Sequence, residues 1–283
     1  MLHDSAQITR LGQGVFERGS LHPAAVQRSR PVVEELARRA RQLGAARVIA
    51  VGTEALRQAR DGAGFLAALQ RDGTVDAAHL LSGEQEAALA VEASRRALGK
   101  GGARVAVVDV GGGSTELAWA LGPHQLGGVS LPLGSVRLTE AFVSAHPIPP
   151  RELERLGGAA VRELWAPPLP VELGGAPVVA VAGTATTLAA LELGLERYDS
   201  AAIEGLELEV AALERRLTDL AQMSVAERLR LPGLEAGRAD VIVAGLIVLR
   251  CVLERLGASR FRVSGRGVRH GVALHLLDGR NPF

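Results

Sequence analysis

Asp109 and Glu116 stand seven residues apart, and the run Gly111-Gly112-Gly113-Ser114-Thr115 lies between them. An apolar, β-branched stretch, Val105–Val108, leads into the first carboxylate, so the segment reads as a strand ending in a glycine-rich turn. Consecutive glycines can take positive φ and let backbone N–H groups approach a single anion. The hydroxyls of Ser114 and Thr115 add donors, and the two carboxylates are hard oxygen ligands of the kind Mg²⁺ prefers. The chemistry implied is a phosphate on Gly111, Gly112, Gly113 and Ser114, with Mg²⁺ on Asp109 and Glu116. A plain turn between buried strands is the alternative, because glycine also serves turn geometry.

Three further groups stand out. Gly183-Thr184 follows the apolar Val178–Val181 and precedes a helical pattern. It reads either as a second anion site at a helix N-terminus or as a strand–helix turn with Thr184 as N-cap. Glu84 and Glu86 open another helical stretch, where a first-turn acid suits the helix dipole and one of them could instead act as a base. Arg57, Arg137, Arg266 and Arg269 are candidate oxyanion contacts, since guanidinium meets phosphate bidentately.

The glycine run is not a nucleotide-triphosphate P-loop, which needs Gly-Lys-Ser/Thr opening a helix; Lys100 is the only lysine in the chain. Glu116–Leu121 reads as a strand, giving strand, Gly-rich turn, strand. That hairpin resembles the phosphate loop of the actin, sugar-kinase and acetate-kinase architecture. Within it, Asp109-Val110-Gly111-Gly112-Gly113-Ser114-Thr115-Glu116 is similar to the exopolyphosphatase and guanosine pentaphosphate phosphohydrolase family. The likeness continues in order through Val51–Arg57, Leu81–Ala87, Leu131–Leu138, Val181–Thr187 and Val263–Gly271. It implies that Arg57 binds phosphate, that Glu86 is the catalytic base and that the substrate is polyphosphate or guanosine pentaphosphate.

The family begins with a strand and a first phosphate loop, whereas Met1–Gly12 resembles the segment after those elements. About thirty residues, one strand-turn-strand unit at ordinary lengths, are expected to be missing. On that expectation the chain is weakly active, with an exposed sheet edge that leaves a homodimer open. Gly265 and His270 also stand where acids are commoner in the family.

The 283 residues are 47% hydrophobic but only 3% aromatic, so Ala, Leu and Val must build the core. A net charge of +1 gives no global field for a polyanion, leaving local arginines to attract it. So few aromatics exclude a base-stacking platform, and no sequence-reading nucleic-acid motif is present. The single cysteine, Cys251, permits no internal disulfide, and no signal peptide or membrane span is legible; a cytoplasmic enzyme is expected.

Periodicity places two helical stretches in His22–Gly44, interrupted at Pro31, then strands at Arg47–Gly52 and Val75–Leu81 around a short helix, and a helix at Glu84–Leu98. Gly99-Lys100-Gly101-Gly102 breaks the pattern. Beyond the hairpin come a strand near Gly128–Leu131, helices at Ser135–Val143 and Pro150–Leu164, a strand at Pro177–Val181 and a helix from Ala185. Leu206–Leu220, Leu234–Leu256 and Val268–Leu277 read as helices, with a strand at Arg260–Val263. The expected fold is α/β, ribonuclease-H-like and of the actin type, with two lobes around a phosphate cleft. The first lobe is residues 1–98, completed by helix 272–283, and the second is residues 99–271. The expected reaction is Mg²⁺-dependent hydrolysis of a terminal phosphoanhydride. A non-catalytic phosphate-binding remnant is the competing class.

Overall fold

The computed structural model describes residues 3–97, 104–122 and 125–283. The expected break at Gly99–Gly102 lies outside them. Packing divides the chain into Met1–Gly83 with Phe283, and Glu84–Pro282.

In the first unit, helices α1 (Val15–Arg18), α2 (Pro23–Gln42), α3 (Glu54–Gln58) and α4 (Gly62–Arg71) accompany two parallel strands, β1 (Ile49–Gly52) and β2 (Ala77–Leu80). A small core of Val15, Leu21, Leu56, Ala59 and Leu66 holds it together. Helix α2 runs straight through Pro31, so the expected interruption there is absent. Proline removes one helical donor. Gln27, whose carbonyl loses its partner, is exposed, and water can satisfy it.

The second unit opens with α5 (Gly83–Ala97), followed by β3 (Val105–Val110), β4 (Thr115–Ala120), β5 (Leu126–Leu131), α6 (Ser135–Phe142) and α7 (Pro150–Trp165). Then come β6 (Val178–Val181), α8 (Ala182–Leu193), α9 (Ser200–Ile203), β7 (Glu207–Glu209), α10 (Val210–Ala221), α11 (Val225–Arg228), α12 (Ile242–Arg255), β8 (Arg260–Val263) and α13 (Val268–Leu277). The sheet order is β5-β4-β3-β6-β8-β7. Strands β3, β4 and β5 pair antiparallel, while β3, β6 and β8 run parallel. This mixed sheet flanked by helices is the ribonuclease-H-like, actin-type α/β fold expected from the sequence. Helix α12, apolar on nearly every side, is buried along most of its length, as a helix inside a core must be. Among the described residues, no helix is long and apolar enough to cross a membrane.

Three expectations change. The segment Leu206–Leu220 is not one helix: Glu207, Leu208 and Glu209 alternate exposed, buried, exposed as edge strand β7. Leu234–Leu256 becomes regular α-helix only from Ile242. The division also falls at Gly83 rather than at residue 98, because α5 packs on the second unit's sheet. Ala87, Ala90 and Val91 share a core with Val105, Val107, Ala118, Ala120, Val179 and Val181. Helix α13 belongs to the same unit, not to the first.

Two glycines bring α5 this close. A Cβ on Gly128 of β5 would lie 2.6 Å from the Ala87 Cβ, and one on Gly271 of α13 would lie 2.2 Å from the Leu89 carbonyl oxygen. Both contacts grip the first half of α5, where Glu86 sits. Gly271→Ala forces backbone apart, and overpacking of this kind costs roughly 1–3 kcal/mol. Thermal unfolding should show a lower Tm, by about 2–4 °C per kcal/mol for a unit of this size. An unchanged Tm would mean that α5 and α13 are not in close contact.

Candidate active site

The hairpin of β3 and β4 puts Asp109 directly opposite Glu116 in register. Residues so paired share one face of a sheet, and like charges there repel. Glu116 is buried and accepts from the Ser114 hydroxyl (2.7 Å) and the Ser130 hydroxyl (2.8 Å), both through Oε1. Glu86, on the first turns of α5, is 3% exposed and near enough for its charge to act on Asp109, while Glu84 is exposed. Burial thus distinguishes the two glutamates that open this helix. Burial first, then the charges of Glu116 and Glu86, push the Asp109 carboxyl up from 3.8 to about 8, against the opposing pull of Arg269. Three carboxylates, Asp109, Glu116 and Glu86, thus act on one another beside Arg269.

The glycine turn forms, but for a different reason than positive φ, which none of Gly111, Gly112 and Gly113 adopts. Its carbonyls cap a helix. The N–H groups of Ser135 (2.9 Å), Val136 (2.9 Å) and Arg137 (3.0 Å), at the start of α6, donate to the carbonyls of Gly111 and Gly112. Those first-turn donors have no intrahelical acceptor, so the turn and α6 complete each other. The approach is close enough that a Cβ on Gly134 would lie 2.2 Å from the Gly112 oxygen. With the carbonyls turned toward α6, the N–H groups of Gly112, Gly113 and Ser114 make no hydrogen bond to an acceptor among the described residues. They remain available to an anion.

All three expected hydroxyl donors are spent internally: buried Thr115 donates to the Leu133 carbonyl (2.6 Å). Ser114 serves Glu116, as above. Thr184 is buried and donates to the Val110 carbonyl (3.0 Å), tying α8 to the end of β3. Nor is Thr184 an N-cap. Helix α8 starts three residues before the expected Ala185, its N-cap is Val181 and it has no side-chain cap. Its first residue, Ala182, is held at φ +61°, a conformation that costs a non-glycine residue about 1–3 kcal/mol and is common at functional sites. Gly183 therefore presents an uncapped helix N-terminus.

Of the arginines, Arg57 lies in the first unit, bonded to Glu54 and to the Leu81 carbonyl. Arg137 stands in the first turn of α6. Arg269, on the first turn of α13, acts on Asp109, whereas Arg266 pairs with Glu204. Glu204 also accepts from the Ser264 hydroxyl and the Gly265 N–H, and so fixes the loop that starts α13. Sequence reasoning missed Arg238, whose guanidinium covers Gly183 so closely that a Cβ there would lie 1.9 Å from Nη1. It also missed Ser130, which only the β4–β5 register brings to Glu116. No local pattern marks either residue.

The donor set suits Mg²⁺ in one particular way. Among the described residues, no three His, Cys, Asp or Glu side chains could hold a metal ion by themselves. Mg²⁺ commonly takes only one or two carboxylates and completes its shell with water and phosphate oxygens. Asp109, with Glu116 across the hairpin, fits that use.

The profile of the Ppx/GppA phosphatase family matches residues 1–279. "Exopolyphosphatase 2" of Mycobacterium tuberculosis is 36% identical over 97% of this chain and 89% of its own length. A "Guanosine-5'-triphosphate,3'-diphosphate pyrophosphatase" of Aliivibrio fischeri is 28% identical over 95% of this chain and 52% of its own. The crystal structure of the Aquifex aeolicus Ppx/GppA family member superposes with a TM-score of 0.79 at 32% identity, covering 97% of this chain and 89% of that one.

The raised carboxyl gives a sign to pH dependence. The folded chain keeps a proton on Asp109 that the unfolded chain releases near pH 3.8, so this contribution to stability is full below that pH and is lost as pH rises through about 8. In metal-free buffer, the parent's Tm should fall more steeply between about pH 5 and 9 than that of Asp109→Asn, which cannot ionise. Parallel curves would show that Asp109 is already ionised at low pH.

Proposed function

Because the chain belongs to the Ppx/GppA phosphatase family, we propose that it is a Mg²⁺-dependent exopolyphosphatase, releasing orthophosphate from the end of inorganic polyphosphate. Phosphoanhydride hydrolysis is the activity of the family. The observation that carries the finer reading is the buried carboxylate pair, Asp109 opposite Glu116, beside a turn with three backbone N–H groups unspent. Such a site offers oxygen ligands to a cation and backbone donors to a phosphate side by side.

On this reading the N–H groups of Gly112, Gly113 and Ser114 hold the terminal phosphoryl oxygens, and the start of α8 at Gly183 receives the next phosphate. Arg269 and Arg238 are the cations of this unit that balance the chain. Asp109 and Glu116 would hold Mg²⁺, whose charge would offset that of the phosphate oxygens. Ser114 and Ser130 hold Glu116 in place for that task. Glu86 accepts a proton from water as its oxygen attacks phosphorus, and the bond to the bridging oxygen breaks. The products are orthophosphate and a polyphosphate one unit shorter, which keeps the bridging oxygen and its electron pair.

Guanosine pentaphosphate is the second substrate to compare, on the strength of the Aliivibrio relative. Phosphate release from each substrate by the purified chain separates the two readings.

If Glu86 is the base, Glu86→Gln should retain its fold and lose about 10²–10⁴-fold in turnover, while exposed Glu84→Gln loses little. Equal losses at both positions would sink the assignment. Asp109→Asn should shift the Mg²⁺ activation curve to higher concentration, and an unshifted curve would remove Asp109 from the metal site.

A further inference from the structure

Parallel strands β3, β6 and β8 end at the carboxylates and the start of α8, so their beginnings, at Val105, Val178 and Arg260, lie at the opposite edge of the sheet. Register decides what that edge presents. Arg262 stands opposite Val179, which belongs to the core under α5, so Arg262 and Arg260, two residues apart, share the face on which α5 packs. That core takes residues from β3, β4 and β6 but none from β8, and both arginines are exposed. With Arg95, near the end of α5, and Arg104, just before β3, they line a cavity of about 560 Å³.

Two carboxylates answer these four guanidinium groups. Glu207 pairs with Arg260 (3.2 Å) and Arg262 (3.4 Å), and Glu209 stands opposite Arg260 on β7. Among the described residues, Arg95 and Arg104 have no acidic partner. Four arginines against two acids leave an excess of two positive charges in one concavity, in a chain whose whole net charge is +1. Of the described lining residues the one aromatic is Phe261, which is 1% exposed and packs into the core behind the sheet. Nothing here would hold a base, so the ligand that fits is a bare anion.

Guanidinium groups along a groove match a row of phosphates, each meeting oxygens bidentately. We infer that this cavity is a second contact for inorganic polyphosphate, holding the body of a chain whose end enters the carboxylate site. The choice of polyphosphate rests on the reaction proposed above, whereas the anion site rests on the arginines. Along β3 the two sites are about 13 Å apart, farther than tripolyphosphate can span. A long chain held at one edge keeps its free end at high effective concentration near the other.

The test is calorimetric titration of the full chain with long-chain polyphosphate in EDTA at low salt, where no turnover is expected. Arg104→Glu/Arg260→Glu should weaken binding about tenfold or more and unfold at the parent's Tm, both side chains being exposed. Arg151→Glu/Arg162→Glu makes an equal change of charge at exposed positions of α7, which packs on the other core, and should stay within about twofold of the parent. With Mg²⁺ added, the first variant should raise KM for long-chain polyphosphate and leave kcat and the tripolyphosphate KM unchanged. A chain that binds polyphosphate through these arginines but releases no phosphate would count against the proposed reaction and not against this site. Equal losses in the two double variants, or no loss in either, would overturn the inference. So would single-stranded RNA binding through Arg104 and Arg260 as tightly as polyphosphate, because the groove would then be a general polyanion surface.

Discussion

The β3–β4 register sets two carboxylates opposite one another, and much of the second unit is arranged around that repulsion. A pair such as Asp109 and Glu116 on one sheet face is unfavourable without a compensating charge. The chain answers at three points. Ser114 and Ser130 bond one Glu116 oxygen, Arg269 is brought over on the first turn of α13, and Asp109 itself takes up a proton. Glu86 adds to the imbalance instead of relieving it. On the proposed function, a cation at this pair would relieve the repulsion that otherwise keeps the Asp109 carboxyl protonated.

The helices fix the geometry in which that imbalance is useful. Helix α6 draws the carbonyls of Gly111 and Gly112 toward its own N-terminus, which leaves the turn's N–H groups to an anion. Helix α5 is clamped at Ala87 and Leu89 by close contacts with Gly128 and Gly271, next to the position that Glu86 needs. Glu204 binds the loop before α13, and Thr184 ties α8 to the end of β3. Hydroxyl groups in this site act on protein atoms, so on the proposed function phosphate recognition falls to backbone N–H groups and arginines.

Local pattern was enough for the hairpin, the buried α12 and the strands β1, β2, β6 and β8, because each has an apolar run bounded by a clear stop. It was also enough to single out Asp109, Glu116 and the glycine turn. It failed where tertiary contacts decide. The period-2 pattern of Glu207, Leu208 and Glu209 is only three residues long, and pairing with β8 is what makes it a strand. Pro31 sits in a helix at a place where Gln27, whose carbonyl it orphans, is exposed. The glycines of the turn signalled close approach correctly, but not the φ values that glycine alone permits. Arg238 and Arg269 are two of many arginines, and only the fold brings one to Gly183 and the other to Asp109.

The central claim is that Asp109 carries a proton which a divalent cation displaces. Mg²⁺ titration calorimetry near pH 7, repeated in buffers of different ionisation enthalpy, counts the protons released on binding. With the carboxyl near 8, the account predicts release of about 0.9 proton per Mg²⁺ bound, and none from Asp109→Asn. Mg²⁺ binding by the parent with no proton release would contradict it.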